Sequence, residues 1–592
     1  MSKRGSDKQI GRRDFLRVGA AAAAAIAIDP MGVSRAVGKT DRPKRPNIIF
    51  VFSDEHRWCS LPFTEMPQMV TPNLARLARE GTRFDNCCST SPICVPYRGM
   101  LITGQWPHQS SCISNDYFGN GDVIGVTSPT LAHTFRKAGY VTGYVGKWHL
   151  KNQTCKNAGF DYFKHWLYGD DHWETQVRDI PSGEDFKTHK GYNAIGMTDQ
   201  ALEFIGQHAG GDKPMMLILS INPPHWKWDD APEEFVRLYP QDKMAYRPNV
   251  TQERYKKGKE LLYYQHYHAH ISAVDRELGR LADAIEKHGI EDNTVLIYTS
   301  DHGSSFGSNG VGSKGNPYDE SVRVPFIVRW PGRIAANRIV DNTMGTINLY
   351  PTLCGLAGIK APAHCGGQDF SPVMLGNPGP DPASQFILVN NFIRNYFRTQ
   401  LEPGEWNYFY PFRGVRTKRY TYVVHAEGDW LLYDNQKDPY QLRNLVNDPA
   451  YADVKAELEK ELKAWLAKAE DPFIPPEWRQ LSIPDRIARQ NRHYSLMRYK
   501  RQWDRYKTDA LAPYLAKGVT ADREKQLRAA SDRVFDEPFF GQYMALHNEV
   551  HGKKRYAGER PREEFRARLA EHEKKFADAF KAEADGILQS TR

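Results

Sequence analysis

Beyond its N-terminal segment the chain has no apolar run of about eighteen residues or more, so no membrane-spanning helix is expected there. Cysteine is scarce: eight in 592 residues, at Cys59, Cys87, Cys88, Cys94, Cys112, Cys155, Cys354 and Cys365. That density excludes a disulfide framework as the support of the fold. If Cys94 has another task, the remaining seven cannot all pair. Zinc-finger spacing and RNA-binding signatures are also missing, and acidic residues interleave with basic ones, so nucleic acid is not an expected partner. What is present is 40% hydrophobic and 12% aromatic content, enough for a large globular core divided into two or three parts.

The N-terminus, GRRDFLRVGAAAAAAIAIDPMGVSRA, has the look of a targeting segment. Arg12 and Arg13 precede Phe15 and Leu16, a mild alanine-rich stretch follows, and Ser34 and Ala36 offer small residues for cleavage. This pattern resembles a twin-arginine export signal over residues 1–36, which implies a translocase partner, a periplasmic destination and no lasting membrane anchor. Such export suits a protein that acquires a cofactor or a modification before it leaves.

Four short apolar runs each end in polar residues. PNIIFVFSDEHR ends in Asp54, GYVTGYVGKWHL in Lys147 and His149, KPMMLILSINPPHW in His225, and NTVLIYTSDHG in Asp301 and His302. Near-continuous apolar runs predict strands buried on both faces. Helical patterns lie between them, over Thr71–Gly81 and Leu261–Gly289. Alternation of this kind predicts an α/β/α sandwich with a large, mainly parallel central sheet. Ligands of such sheets gather beyond the carboxyl ends of the strands, where all four polar clusters fall.

Asp54, with Glu55 beside it, and Asp301 could converge on a hard divalent cation. His302 as a further ligand makes manganese more plausible than oxygen ligands alone would, although calcium is the expected ion, with manganese or magnesium as alternatives. Lys147 and His149 share one face of an extended segment. With His225 and Lys314, they would make a cationic pocket for a small tetrahedral oxyanion, with groups available for proton transfer. Trp226 and Trp228 read either as a platform for a sugar or aryl ring or as packing residues.

The segment Cys94-Val95-Pro96-Tyr97-Arg98, followed by Thr103-Gly104, resembles the C-x-P-x-R signature of the type I, formylglycine-dependent sulfatases of the alkaline phosphatase superfamily. The resemblance runs from about Pro46 to Pro472, with PNIIFVFSD, CVPYR, GYVTGYVGKWHL, NPPH, SDHG, GSKGNPYDES and LYDNQKDPYQLRNL in the family's order. It implies that a maturation enzyme converts Cys94 to Cα-formylglycine. It implies that Asp54, Asp301, His302 and the modified Cys94 bind metal, with Glu55 a further candidate. It also implies that Arg98 holds the hydrated aldehyde, that Lys147 and Lys314 grip sulfate, and that His149 and His225 move protons. The expected substrate is a sulfated small molecule or saccharide.

Two departures matter. Glu55 and His302 stand where many members carry Asp and Asn, and the Asp-His pair is associated with choline sulfatase-like and phosphonate monoester hydrolase-like members. A phosphonate monoester or phosphodiester hydrolase is therefore the alternative within enzymes. A non-catalytic polyanion-binding protein is the alternative outside them. The expected organisation is a catalytic domain over 45–390, an α+β subdomain over 391–472 and a helical extension over 473–592. That extension holds 25 Lys plus Arg against 18 Asp plus Glu. It reads as a solvated tail, an oligomerisation arm or a polyanion-attracting rim.

Overall fold

The computed structural model describes residues 45–115, 124–125, 128–150, 155, 157–166, 171–180, 185–389, 411–425, 428–471, 473, 510–516, 518–536 and 560–589. The export segment lies outside these residues. The first strands are β1 (Asn47–Ser53), β2 (Thr82–Phe84), β3 (Cys87–Cys88), β4 (Val141–Lys147), β5 (Tyr162–Trp166), β6 (Glu174–Asp179), β7 (Lys187–Lys190) and β8 (Met215–Ile221). After them come β9 (Thr294–Ser300), β10 (Phe326–Arg329), β11 (Arg338–Val340), β12 (Met344–Gly345), β13 (Gln385–Val389), β14 (Phe412–Arg416), β15 (Tyr420–His425) and β16 (Gly428–Asp434). A ten-stranded sheet takes the order β11-β2-β10-β9-β1-β8-β4-β5-β6-β7.

The centre of this sheet, β9-β1-β8-β4, is parallel. Every residue of β1, β8 and β9 is buried. Side chains alternate between two cores, as the two-residue period of a strand requires. Ile48, Phe50 and Phe52 of β1 join Met216, Ile218, Val295 and Ile297 on one face. Ile49 and Val51 join Leu217, Leu219, Leu296 and Tyr298 on the other. The helices Cys94–Thr103 and Leu131–Lys137 cover the first face through Val95, Leu101, Leu131 and Phe135. The helices Pro72–Glu80, Asn193–His208 and Gly258–Lys287 cover the second through Leu74, Leu77, Phe204, Leu278 and Leu281. This is the expected α/β/α sandwich, with antiparallel strands only towards its margins.

A second, antiparallel sheet runs β13-β14-β15-β16. The helix Ala452–Ala469 lays Leu458, Leu462 and Trp465 against it. The alternation over Arg413–Leu445 suggests two strands, but the structure has three. The added reversal is closed by Thr417, whose Oγ1 accepts from the Tyr420 amide at 2.7 Å while its own amide donates to the Tyr420 carbonyl at 2.8 Å. A threonine-closed turn carries no glycine or proline to announce it. In the extension, the helices Ala521–Asp536 and Arg560–Gln589 share an apolar seam of Leu527, Ala530, Phe576, Phe580 and Ala584.

The two sheets are tied by buried charge. Asp319 accepts from Arg416 of β14 through both carboxylate oxygens at 2.9 Å, and from Arg323 at 3.2 Å. Removing one partner of such a pair leaves an uncompensated buried charge. Asp319→Ala is expected to lower the unfolding free energy by about 3–5 kcal/mol, read by urea denaturation. A second prediction concerns acid. Burial holds His56, His165 and His270 down at about 4. Between about pH 6.5 and 4 the unfolded chain therefore binds more protons at these sites, so stability rises with pH across that window. Asp275, pushed up to about 6 by burial, opposes one of them. Denaturation at pH 6.5 and at 4.5 should show a loss as steep as about 3 kcal/mol per pH unit.

Candidate active site

Because β9, β1, β8 and β4 are parallel neighbours, their carboxyl ends open on one side of the sheet. Asp301 and His302 leave β9, Asp54 and Glu55 leave β1, His225 follows β8, and Lys147 ends β4 with His149 two residues on. The Asp54 amide donates to the Ile221 carbonyl at 3.0 Å and the Asp301 amide to the Ser53 carbonyl at 3.2 Å, so the ladder holds rigid up to the site. Cys94 and Arg98 come from the first turns of the helix Cys94–Thr103, whose N-cap, Ile93, offers no side-chain cap. Lys314 arrives on the loop after β9.

The structure brings all these residues together. Cys94 is fully buried, with Sγ 3.6 Å from Asp54 Oδ1, 3.3 Å from His302 Nε2 and 3.5 Å from Lys314 Nζ. His149 also hydrogen-bonds the Cys94 side chain. Burial would push this thiol up, but Lys314, Lys147 and His302 carry it well below the ordinary thiol value. Arg98 donates to Asp54 Oδ2 at 2.9 Å, to Asp301 Oδ2 at 3.3 Å, to Ser220 Oγ at 2.7 Å and to the Lys147 carbonyl. Lys147 Nζ lies 2.7 Å from Asp54 Oδ2, and Lys314 Nζ lies 2.9 Å from Glu55 Oε2. His225 Nε2 faces that same Glu55 oxygen at 3.9 Å, while its Nδ1 meets the Trp226 carbonyl at 2.8 Å.

The electrostatics divide the acids and bases into roles. Burial raises Asp54, but Lys147, His225 and Lys314 hold it well below the carboxylate range. Burial and the Asp54 charge push Asp301 up to about 7. Against burial, Asp301 lifts His302 to about 9. Burial keeps His149 down at about 4, so its ring is a neutral base across physiological pH. Glu55 and His149 both hold a left-handed backbone, at φ 76 and 53, immediately beyond strand ends. Side chains other than glycine occupy that region at a cost, which the surrounding packing offsets.

The donor set fits a hard divalent cation. Asp54, Cys94, Asp301 and His302 each offer a ligand atom within 4.8 Å of the others, all buried. His302 Nδ1 meets the Gly303 carbonyl at 3.0 Å, which turns Nε2 towards the group. Glu55 Oε1 is buried without a hydrogen-bond partner, and Glu55 joins Asp54 and His225 in a second ligand-like group. Residues not anticipated from sequence also take part. Ser220, in the apolar run of β8, bonds Arg98 and the Lys147 carbonyl, the latter at 2.8 Å. A lone hydroxyl near the end of a buried strand was the available signal. Trp228 donates to the Pro224 carbonyl at 2.8 Å and packs 4.6 Å from Phe306, so it is a packing residue. Trp226 is likewise half-buried, its ring centroid 5.0 Å from that of Tyr263, and stays a candidate platform.

Comparison with known proteins gives the following. The family profile described as Sulfatase matches residues 46–359, and one described as N-sulphoglucosamine sulphohydrolase, C-terminal, matches 307–468. An ulvan-active sulfatase of Formosa agariphila is 31% identical over 450 residues, covering 74% of this chain and 84% of that protein. An endo-4-O-sulfatase of Bacteroides thetaiotaomicron is 28% identical, covering 73% and 94%. The structure of a sulfatase from Bacteroides fragilis superposes with a TM-score of 0.64 at 26% identity, over 74% of this chain and 98% of that one. A phosphonate monoester hydrolase of Agrobacterium radiobacter shares the fold, at 0.58 and 21% identity over 72% and 96%.

Ser220→Ala removes a hydroxyl that steadies a buried, charged group, an interaction of about 1.5–3 kcal/mol. We expect kcat/KM for sulfate-ester turnover to fall about 10- to 100-fold, with the far-ultraviolet circular dichroism of the fold retained.

Proposed function

We propose, from the premise that this chain belongs to the sulfatase family of sulfuric ester hydrolases, that it removes sulfate from a carbohydrate using residue 94 in its formylglycine form. The observation that carries this reading is the position of Cys94: buried at the head of a helix, within reach of Asp54, His302, Lys314 and His149. The names of related proteins, which act on ulvan, at a 4-O-sulfate or on N-acetylglucosamine 6-O-sulfate, support a saccharide substrate. We propose further that residues 1–36 direct export to the periplasm by the twin-arginine route, and that maturation precedes it.

Hydrated formylglycine supplies two hydroxyls on one carbon, one to attack sulfur and one whose deprotonation lets sulfate leave. A divalent cation held by Asp54, Asp301, His302 and residue 94, calcium being the expected ion, would make those hydroxyls more acidic. Arg98 fixes the carboxylates on either side of residue 94. Lys147 and Lys314 balance charge on the sulfate oxygens as the bond to the alcohol breaks. His225 and Lys314 deliver the proton to the departing alcohol. His149, neutral above about pH 4, takes the proton in the elimination step. The helix that begins at residue 94 turns the positive end of its dipole towards the developing negative charge.

The phosphonate monoester or phosphodiester reading rests on the Asp301-His302 pair and on the single negative charge shared by sulfate monoesters and phosphodiesters. Two measurements test the proposal together. Protein matured beside a formylglycine-generating enzyme should give the tryptic peptide Phe84–Arg98 in the lighter aldehyde form or its hydrate. The same protein should release sulfate from sulfated saccharides faster than it cleaves a matched aryl phosphodiester. A peptide that keeps its cysteine removes the nucleophile from the proposal, and a faster phosphodiester reaction transfers the assignment.

A further inference from the structure

A second group of metal-ligating side chains lies outside this centre. His172 stands just before β6, Asp230 in the loop after β8, and His270 midway along the helix Gly258–Lys287. Their ligand atoms lie within 4.8 Å of one another. His172 Nδ1 is 2.7 Å and His270 Nε2 3.4 Å from the same oxygen, Asp230 Oδ1. The ring centroids are 4.6 Å apart, and both rings are fully buried. The Lys227 carbonyl, 3.1 Å from His270 Nε2, adds a fourth donor atom, the second oxygen.

The nitrogen of His172 that faces the carboxylate is Nδ1, and that of His270 is Nε2. Both imidazole nitrogens aim at one carboxylate oxygen, Oδ1, while the His172 backbone amide donates to the other, Oδ2, at 3.3 Å. Two donors about 2.0–2.1 Å from a tetrahedral zinc stand about 3.4 Å apart, which is the spacing seen from His270 to Asp230. The shorter contact needs to open by about half an ångström. The far nitrogen of His270, Nδ1, meets the Tyr192 hydroxyl at 2.7 Å, the outer support that orients a metal-bound imidazole.

We propose that His172, Asp230 and His270, with the Lys227 carbonyl, bind a zinc ion that clamps the loop after β8 to the helix Gly258–Lys287. Two imidazoles with one carboxylate form a borderline set that favours zinc over calcium or magnesium, unlike the oxygen-rich catalytic centre. The clamped loop runs back to His225 and Trp226, so the ion holds the wall of the catalytic pocket without entering the reaction. Its other ties are modest: Trp173 Nε1 donates to the Asp230 carbonyl at 2.7 Å, and the Ala231 amide donates to His266 at 3.2 Å.

The test uses the full chain, stripped with EDTA and titrated with zinc chloride in excess calcium. Wild type should bind one zinc more per chain than His172→Gln, and zinc should raise the Tm of wild type alone. Asp301→Asn, altered in the catalytic centre, should keep that zinc. No zinc uptake by wild type, or equal uptake by wild type and His172→Gln, overturns the proposal. Zinc-edge X-ray absorption on loaded wild type needs no variant: a shell with two imidazoles is expected, and one with fewer overturns it. These readings are of metal content and coordination, so they stand or fall separately from the sulfatase assignment.

Discussion

One guanidinium holds the catalytic end of this protein together. Arg98 bonds Asp54 beyond β1, Asp301 beyond β9, Ser220 of β8 and the carbonyl of Lys147 at the end of β4. Those are the four adjacent central strands of the large sheet. A single planar fork thus fixes the spacing of every strand end that presents a candidate site residue. Lysine, with one point of charge on a flexible stem, could not span them. The cost of burying the guanidinium is offset by two carboxylates and stacking against Phe52 at 4.9 Å. That cost is met in turn by packing on both faces of the sheet.

Charge balance makes the same centre receptive to an oxyanion. Arg98, Lys147 and Lys314 face Asp54, Glu55 and Asp301, so cations and carboxylates are matched. Burial and the neighbouring Asp54 charge raise Asp301, as the repulsion of two carboxylates placed side by side requires. A divalent ion seated between them would relieve that repulsion and tip the pocket towards positive charge. On the proposed reading, sulfate presents its charged oxygens to Lys147 and Lys314.

Much of this was legible from residues because the central strands are buried on both faces. Such strands must be apolar throughout, and their polar successors mark the sheet's open end, as with Asp54 after IIFVF and Asp301 after TVLIYTS. The marginal strands escaped notice for the opposite reason. β6 and β7 are half exposed, and ETQVRD and KTHK have no apolar run to read. Ser220 was hidden because one hydroxyl in LILSI looks like a lapse in a core strand. The His172–Asp230–His270 group draws on three segments far apart in sequence, and spacing along one segment could not disclose it.

The loop after β8 joins these observations. It begins at a rigid strand end, carries His225 to 3.9 Å from Glu55 Oε2, then packs Trp226 on Tyr263 and Trp228 on Phe306. The proposed role of His225 as proton donor requires a supported loop, because a shift of about 1 Å can cost on the order of a hundredfold in rate. The sheet supports its start, the aromatic cluster of Tyr264, Tyr267 and Phe306 its middle, and Asp230 its end. Specificity and chemistry then share one support. On the proposed reading, a substitution at Trp226 moves His225 as well, unless Asp230 and its two histidines hold the loop's far end in place.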